Sequence, residues 1–367
     1  MLTELLGDVV HGAEKVHHAI TALIHETART GVSRSGAVVG SLAATATRPP
    51  RMLLDSPVGQ RALGIANGMF GEKADARGGA LPAAMTVRLD HRRIDLDGDS
   101  LATAFPDATG RLVVFLHGLV ETERSWFHRH APGRSRSGTD FGSRLAEDLS
   151  CTPVYVRYNT GRRVADNGGE LVGLLTELVE GWPVEVTEIV LIGHSMGGLV
   201  ARSALLQATG QPTPWFSTVT RLVCLGTPHT GAPLERGVVH VTALLDKLAV
   251  TAPLVRLLAL RSDGIKDLAQ GSVHRTEWAD TEPTATVAPV PTPPTDVRQY
   301  FVAATLTRSR ESLLARLLGD LLVAPASAGD STQGADLRWF GGMHHFDLLC
   351  HDAVYDAMLD WLRSDPR

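Results

Sequence analysis

The chain has 367 residues, 44% hydrophobic and 20% charged, enough apolar material for a large core and too little charge for a disordered chain. A formal net charge of −5 leaves out the basic footprint of a nucleic-acid binder. Three scattered cysteines, Cys151, Cys224 and Cys350, give neither a disulfide framework nor a metal-ligand spacing, and point to a reducing compartment.

The opening Met1-Leu-Thr-Glu-Leu-Leu-Gly-Asp lacks the basic, apolar, small-residue order of a signal peptide. No segment approaches the roughly 18 consecutive apolar residues that span a bilayer. A soluble, cytoplasmic protein without an integral membrane segment is therefore expected. From Leu2 to Ile24 apolar residues recur at three-and-four spacing, an amphipathic helix with one buried face. Helix-like sequence continues to about Phe70, interrupted by Pro49-Pro50, which forbids one continuous helix. Residues 1–79 read as a helical segment packed on the main body, with a homodimer or membrane-surface contact as the other reading.

After Arg77-Gly-Gly-Ala the pattern becomes short apolar runs separated by helical stretches, as a parallel sheet with crossover helices requires. Residues 80–367 are thus expected to form an α/β domain. Its strands are read at Leu112–Leu116, Pro153–Tyr158, Glu188–Ile192, Leu222–Leu225, Gln299–Ala304 and Leu337–Phe340, and its clearest helices at Glu170–Trp182, Met196–Gln207 and Val354–Leu362. Residues 228–297 break the rhythm. Within them Arg236–Ala269 is leucine-rich and helical in spacing, and Thr281–Asp296 carries five prolines, so a helical cap followed by an extended loop is expected.

The chemistry-bearing stretch is Ile189-Val-Leu-Ile-Gly193-His194-Ser195-Met196-Gly197-Gly198. An apolar run, then Gly-x-Ser-x-Gly, then a helical pattern is the strand–turn–helix context of a nucleophile elbow. The turn strains the backbone at Ser195, and Gly193 and Gly197 leave room where a Cβ would collide. A serine hydroxyl needs a base during attack, and that base needs an acid to orient it. With the chain order Ser, acid, His, the eligible bases are His344, His345 and His351. His345 is preferred, just ahead of Phe346 and a new apolar run; His344 is the alternative, and His351 reads as the start of the last helix. The eligible acids include Asp296, Asp320, Asp330 and Asp336. Asp320, downstream of the strand at Gln299–Ala304, is preferred, with Asp330 as its rival.

An ester's tetrahedral intermediate also needs two backbone N–H groups for its oxyanion. Met196 supplies one. Leu112-Val-Val-Phe-Leu-His117-Gly118-Leu119 supplies the other, Gly118 allowing the sharp turn, Leu119 donating and His117 holding the loop. Glu123–Arg136, basic and aromatic, reads as a solvated loop, with contact to an anionic substrate group as the alternative. His128 and His130 alternate as zinc ligands can, but without a third ligand, so no metal is expected. Cys224 and Cys350 read as core residues.

Leu116-His117-Gly118-Leu119, Tyr158-Asn-Thr-Gly-Arg, Gly193-His-Ser-Met-Gly-Gly, Leu225-Gly-Thr-Pro-His-Thr-Gly-Ala-Pro-Leu-Glu, Gly319-Asp-Leu-Leu-Val-Ala-Pro-Ala-Ser-Ala and Met343-His-His-Phe-Asp-Leu-Leu occur in the order of α/β-hydrolase lipases and esterases. Over about residues 90 to 365 the chain most resembles bacterial relatives of the GPI inositol-deacylase-like lipases. That resemblance implies an α/β-hydrolase fold, a mostly parallel sheet flanked by helices, and places Ser195, Asp320 and His345 at the triad positions. The sequence departs from it at Gly319-Asp320-Leu321, where Gly-Asp-Gly is usual, and at the paired histidines. The expectation is a cofactor-independent serine esterase or lipase acting on an apolar small-molecule or lipid ester. An acyltransferase using the same triad, or a non-catalytic interaction protein on this fold, is the alternative.

Overall fold

A computed structural model describes residues 64, 67, 68, 84–127, 139–229, 231, 262–274, 296–305 and 336–364. The helix expected at Leu2–Ile24, most of the leucine-rich insertion, the proline-rich loop, His128, His130, Asp320 and Asp330 lie outside the described residues.

Eight strands form one sheet: β1 (Thr86–Leu89), β2 (Arg92–Ile94), β3 (Arg111–Leu116), β4 (Thr152–Arg157), β5 (Glu188–His194), β6 (Val219–Leu225), β7 (Arg298–Thr305) and β8 (Asp336–Gly341), in the order β2-β1-β4-β3-β5-β6-β7-β8. From β4 to β8 every pairing is parallel, whereas β1 runs antiparallel to both of its neighbours. The six strands expected from the sequence are β3 to β8.

Two core clusters show why the runs of the inner strands are so apolar. Leu112, Val114 and Leu116 of β3 enter one cluster and Val113 and Phe115 the other; on β5, Ile189 and Leu191 separate from Val190 and Ile192 in the same way. Successive side chains point to opposite faces of a strand, so a sheet buried on both faces needs unbroken hydrophobic runs. Helices α3 (Val164–Gly181) and α4 (Met196–Ala208) cover the first face through Leu171, Leu175, Leu199 and Val200. Helices α2 (Phe141–Leu149) and α6 (Asp352–Arg363) cover the second through Phe141, Leu145, Tyr355 and Trp361. His351 caps α6 by accepting from the Ala353 N–H at 3.1 Å, and all three cysteines are buried and outside any disulfide.

Four elements go beyond the sequence reading: β1, β2, α2 and α1 (Gly98–Ala104). The β1–β2 hairpin turns on Asp90 and His91, both at positive φ, 48° and 66°. Such a two-residue turn normally announces itself with glycine or asparagine. Helix α1 buries only Leu101, too little for a periodic signal.

Upstream of the domain, Gly64, Asn67 and Gly68 are helical and buried. A Cβ on Gly64 would sit 2.6 Å from the Val120 carbonyl oxygen, and one on Gly68 2.5 Å from Val120 Cγ1. This part of the N-terminal segment therefore presses on the loop after β3.

A buried ion pair fixes that loop's far end to β4. Arg157 donates two hydrogen bonds to the Glu123 carboxylate, and both side chains are almost fully buried. Burial opposes the charge on Glu123, but His91 and Arg157 outweigh it and hold the carboxyl at about 2. Its stabilising contribution is present above the ordinary carboxylate range and is lost as pH falls through about 2. Glu123→Gln, which leaves the guanidinium buried without its counter-charge, is expected to destabilise the fold by about 3–5 kcal/mol in denaturant titrations at pH 7. The gap to wild type should shrink as both are titrated toward pH 2; a gap independent of pH would contradict this account.

Candidate active site

The carboxyl ends of the parallel strands carry the site. Strand β5 ends at His194, Ser195 follows at φ 53°, ψ −119°, and α4 starts at Met196. That positive φ on a residue with a Cβ is strained. The Ser195 N–H donates to the Leu225 carbonyl at 2.8 Å, tying the turn to β6. A Cβ on Gly193 would lie 2.3 Å from the Gly198 nitrogen, and one on Gly197 2.3 Å from the Leu116 carbonyl oxygen, so only glycine permits this crossing. Ser195 is also the N-cap residue of α4, a position where the serine oxygen ordinarily accepts a hydrogen bond from an amide of the first turn. Here its side chain makes no capping hydrogen bond. The hydroxyl stands at the strand ends, 7% exposed with the rest of the residue.

The loop after β3 comes to the same point. A Cβ on Gly118 would meet Ser195 Cβ at 3.1 Å. The Gly118 N–H donates to Glu121 Oε2 at 2.7 Å, the Val120 N–H to Thr160 Oγ1 at 3.2 Å and the Glu121 N–H to the Gly118 carbonyl at 3.2 Å. Among the described residues, Leu119 N–H is the one amide of this run with no acceptor, and the Met196 N–H has none either. Among the described residues, the amides that follow Gly118 and Ser195 are thus both open.

His117 is fully buried and stacks on Tyr158 with ring centroids 4.3 Å apart. Its Nδ1–H donates to the Gly118 carbonyl at 3.0 Å and its Nε2 accepts from the Tyr158 N–H at 3.3 Å. Burial is the main cause that lowers its pKa to about 4, so the ring is neutral and holds the loop.

The paired histidines diverge. His344 caps the short 3-10 turn His345–Leu349: its Nδ1 accepts from the Asp347 N–H at 3.2 Å, and its Nε2 lies 3.2 Å from Asp347 Oδ1. Both of its nitrogens therefore serve the turn. His345 is 2% exposed and faces inward. Its ring sits against Gly226, where a Cβ would meet His345 Cε1 at 3.0 Å and Nδ1 at 3.1 Å; Gly226, at φ 62°, follows directly on the Leu225 that holds Ser195. Its ring centroid is 4.6 Å from that of His194, the residue before Ser195. Structure thus gathers Ser195, Met196, Gly118, Leu119, His117 and His345 at one edge.

Two acid candidates are removed by direction. Asp336 opens β8 and accepts from Trp361 Nε1 at 2.9 Å, and Asp296 precedes β7, so both lie at the opposite edge of the parallel strands.

The end of the expected helical cap reaches the site. Helix α5 (Asp263–Gln270), from the insertion, places Gly264 where a Cβ would be 3.1 Å from Met196 Cε. Its Asp267 accepts from the Val164 N–H at 2.7 Å and so caps α3, which has no side-chain cap of its own. Among described residues no His/Cys/Asp/Glu group is arranged to hold a metal ion, and no helix is long and apolar enough to cross a membrane.

A family model described as PGAP1-like alpha/beta domain matches residues 168–278, the stretch from α3 through the Ser195 elbow to α5. No curated protein matches the chain. Among solved structures, the chain is similar to the mature form of the Bacillus licheniformis lipase BlEst2, with 19% identity, 68% of this chain and 91% of that chain covered, and a TM-score of 0.47. It is also similar to a lipase-esterase related protein from Clostridium acetobutylicum, at 14% identity, 70% and 95% coverage and TM-score 0.36, and to a Pyrobaculum calidifontis esterase, at 17%, 68%, 74% and 0.41. The architecture is an α/β fold, an eight-stranded and mostly parallel sheet flanked by helices.

Burial raises the Asp267 carboxyl to about 8. A carboxyl raised on folding favours the folded state less and less as pH climbs from the unfolded value toward about 8. Asp267→Asn keeps an acceptor for Val164 and removes the ionisation. It is expected to raise the melting temperature relative to wild type at pH 8, with the difference fading toward pH 4; a variant less stable than wild type at pH 8 would refute this.

Proposed function

We propose that the protein is a serine hydrolase of carboxylic esters that works through an acyl-enzyme. One observation supports the reading: at Ser195 a strained turn presents a hydroxyl that its helix does not use, beside the Gly118 turn; the Leu119 and Met196 N–H groups are the proposed oxyanion donors. His345 takes the proton as Ser195 Oγ attacks the ester carbonyl, and the two amides receive the oxyanion. Collapse of the tetrahedral intermediate expels the alcohol, protonated by His345. Water, deprotonated by the same imidazole, then releases the acid and restores Ser195. Asp320 is the proposed partner that orients His345 and stabilises its cation.

Helix α5 lies over Met196, and the rest of the leucine-rich insertion joins it in sequence. This favours an apolar acyl group shielded by the insertion. The lipase and esterase names of the similar structures agree with an ester substrate.

A panel of nitrophenyl esters from acetate to palmitate tests the reading. Ser195→Ala and His345→Ala should each lower kcat by at least about 10⁴-fold. His344→Ala should leave kcat near the wild-type value. Full activity in Ser195→Ala would remove the serine mechanism, and loss confined to His344→Ala would reassign the base.

A further inference from the structure

His117 and His194 lie side by side behind the site, and their hydrogen-bond partners demand opposite charge states. His117 faces one acceptor and one donor, as a neutral ring requires. His194, fully buried, faces two groups that only accept: Glu121 Oε2 lies 3.2 Å from its Nδ1, and the main-chain oxygen of His345 lies 3.2 Å from its Nε2. Neither a carboxylate nor a carbonyl can donate to a ring nitrogen. Both bonds form only if both nitrogens carry hydrogen.

From this geometry we infer that His194 is a buried imidazolium which, with Glu121 as its counter-ion, ties the oxyanion loop to the segment carrying the base. Glu121 Oε2 receives both the His194 Nδ1–H and the Gly118 N–H, so one carboxylate oxygen fixes the turn that aims the next amide, Leu119. At the other end, the Nε2–H holds the backbone of His345. Glu121 and His194 are therefore positioning residues: they touch no reacting atom and set the relation between the donor and the base.

The surroundings suit a charge pair. Burial works against the Glu121 charge, yet His194, the Gly118 N–H and His117 together bring its carboxyl down to about 2. The His345 ring faces His194 at 4.6 Å, the Phe346 ring at 6.2 Å and the Trp126 ring at 6.4 Å. Glu121 is the carboxylate against His194, and the neutral His117, the His345 ring and the Tyr158 hydroxyl are titratable groups that face the pair. The rim of the tryptophan and the phenylalanine limits water, which strengthens a paired charge. The role rests on the hydrolase reading for its kinetics; the protonation state of His194 does not.

Nitrogen-15 NMR of the imidazole rings tests this directly, with the His194 signal assigned through its loss in His194→Asn. In the wild type at pH 8, well above the ordinary histidine range of about 6.5, His194 should show two protonated ring nitrogens while His117 shows a neutral ring. Glu121→Gln should convert His194 to a neutral tautomer, and should lower kcat about 10- to 100-fold with KM within about twofold, since the donor and base are misplaced but the substrate surface is kept. Glu121→Asp, which restores the charge, should recover part of kcat. A neutral His194 in the wild type, which needs no variant to fold, overturns the inference, as does wild-type kcat in Glu121→Gln. If Ser195→Ala instead keeps full esterase activity while His194 remains doubly protonated, the hydrolase reading has failed and the ion pair stands as a purely structural one.

Discussion

The closeness of β5 and α4 at Ser195 constrains the rest of the site. The helix starts one residue after the strand ends, and the chain turns through a left-handed serine with no room for a Cβ at Gly193 or Gly197. Strain of this kind costs about 1–3 kcal/mol and persists only where the surroundings over-determine it. Here the determinants are specific: the Ser195 N–H is held by β6, and the Gly197 position is packed against the Leu116 and His117 carbonyls at the end of β3. Relaxing the turn would require moving the three central strands. The fold therefore stabilises the serine conformation, and in return the turn leaves the hydroxyl unengaged and its following amide open.

The same logic extends outward as shells of polar groups in an apolar surround. His117 is neutral and matched to one donor and one acceptor, Glu123 is matched to Arg157, and Asp267 from the insertion caps α3. Each joins segments distant in sequence at the edge where the strands end. Buried polar groups are costly when unmatched, so these pairings fix how the loops after β3 and β4 meet each other and the insertion. The insertion is part of this framework, because the helix it supplies covers Met196 and caps α3 at the same time.

The legible parts of the sequence were those whose physics is local. Strands β3 to β7 are buried on both faces, which forces largely apolar runs, and the elbow glycines sit at fixed offsets around Ser195. The β1–β2 hairpin escaped because Asp90 and His91 take positive φ without a glycine to mark it, and because β2 is three residues with two exposed arginines. Choosing between His344 and His345 rested on position alone, while the structure separates them by chemistry: the first is consumed by Asp347, the second packs against Gly226. The role of Glu121 had no sequence signal at all. A glutamate three residues after a glycine is ordinary, and its meaning appears only where the Gly118 amide and the His194 ring converge on one oxygen. Asp296 and Asp336 were eligible acids beside the preferred Asp320, and strand direction puts those two at the opposite edge.

Peptide mapping by mass spectrometry after reaction with a fluorophosphonate tests the central claim most directly, because the reagent modifies a serine only where a base and oxyanion donors already activate it. One adduct per chain on Ser195, with Ser203 of the same helix unmodified, is the result this account requires. An adduct on a different residue, or none in a protein that still hydrolyses esters, would contradict it.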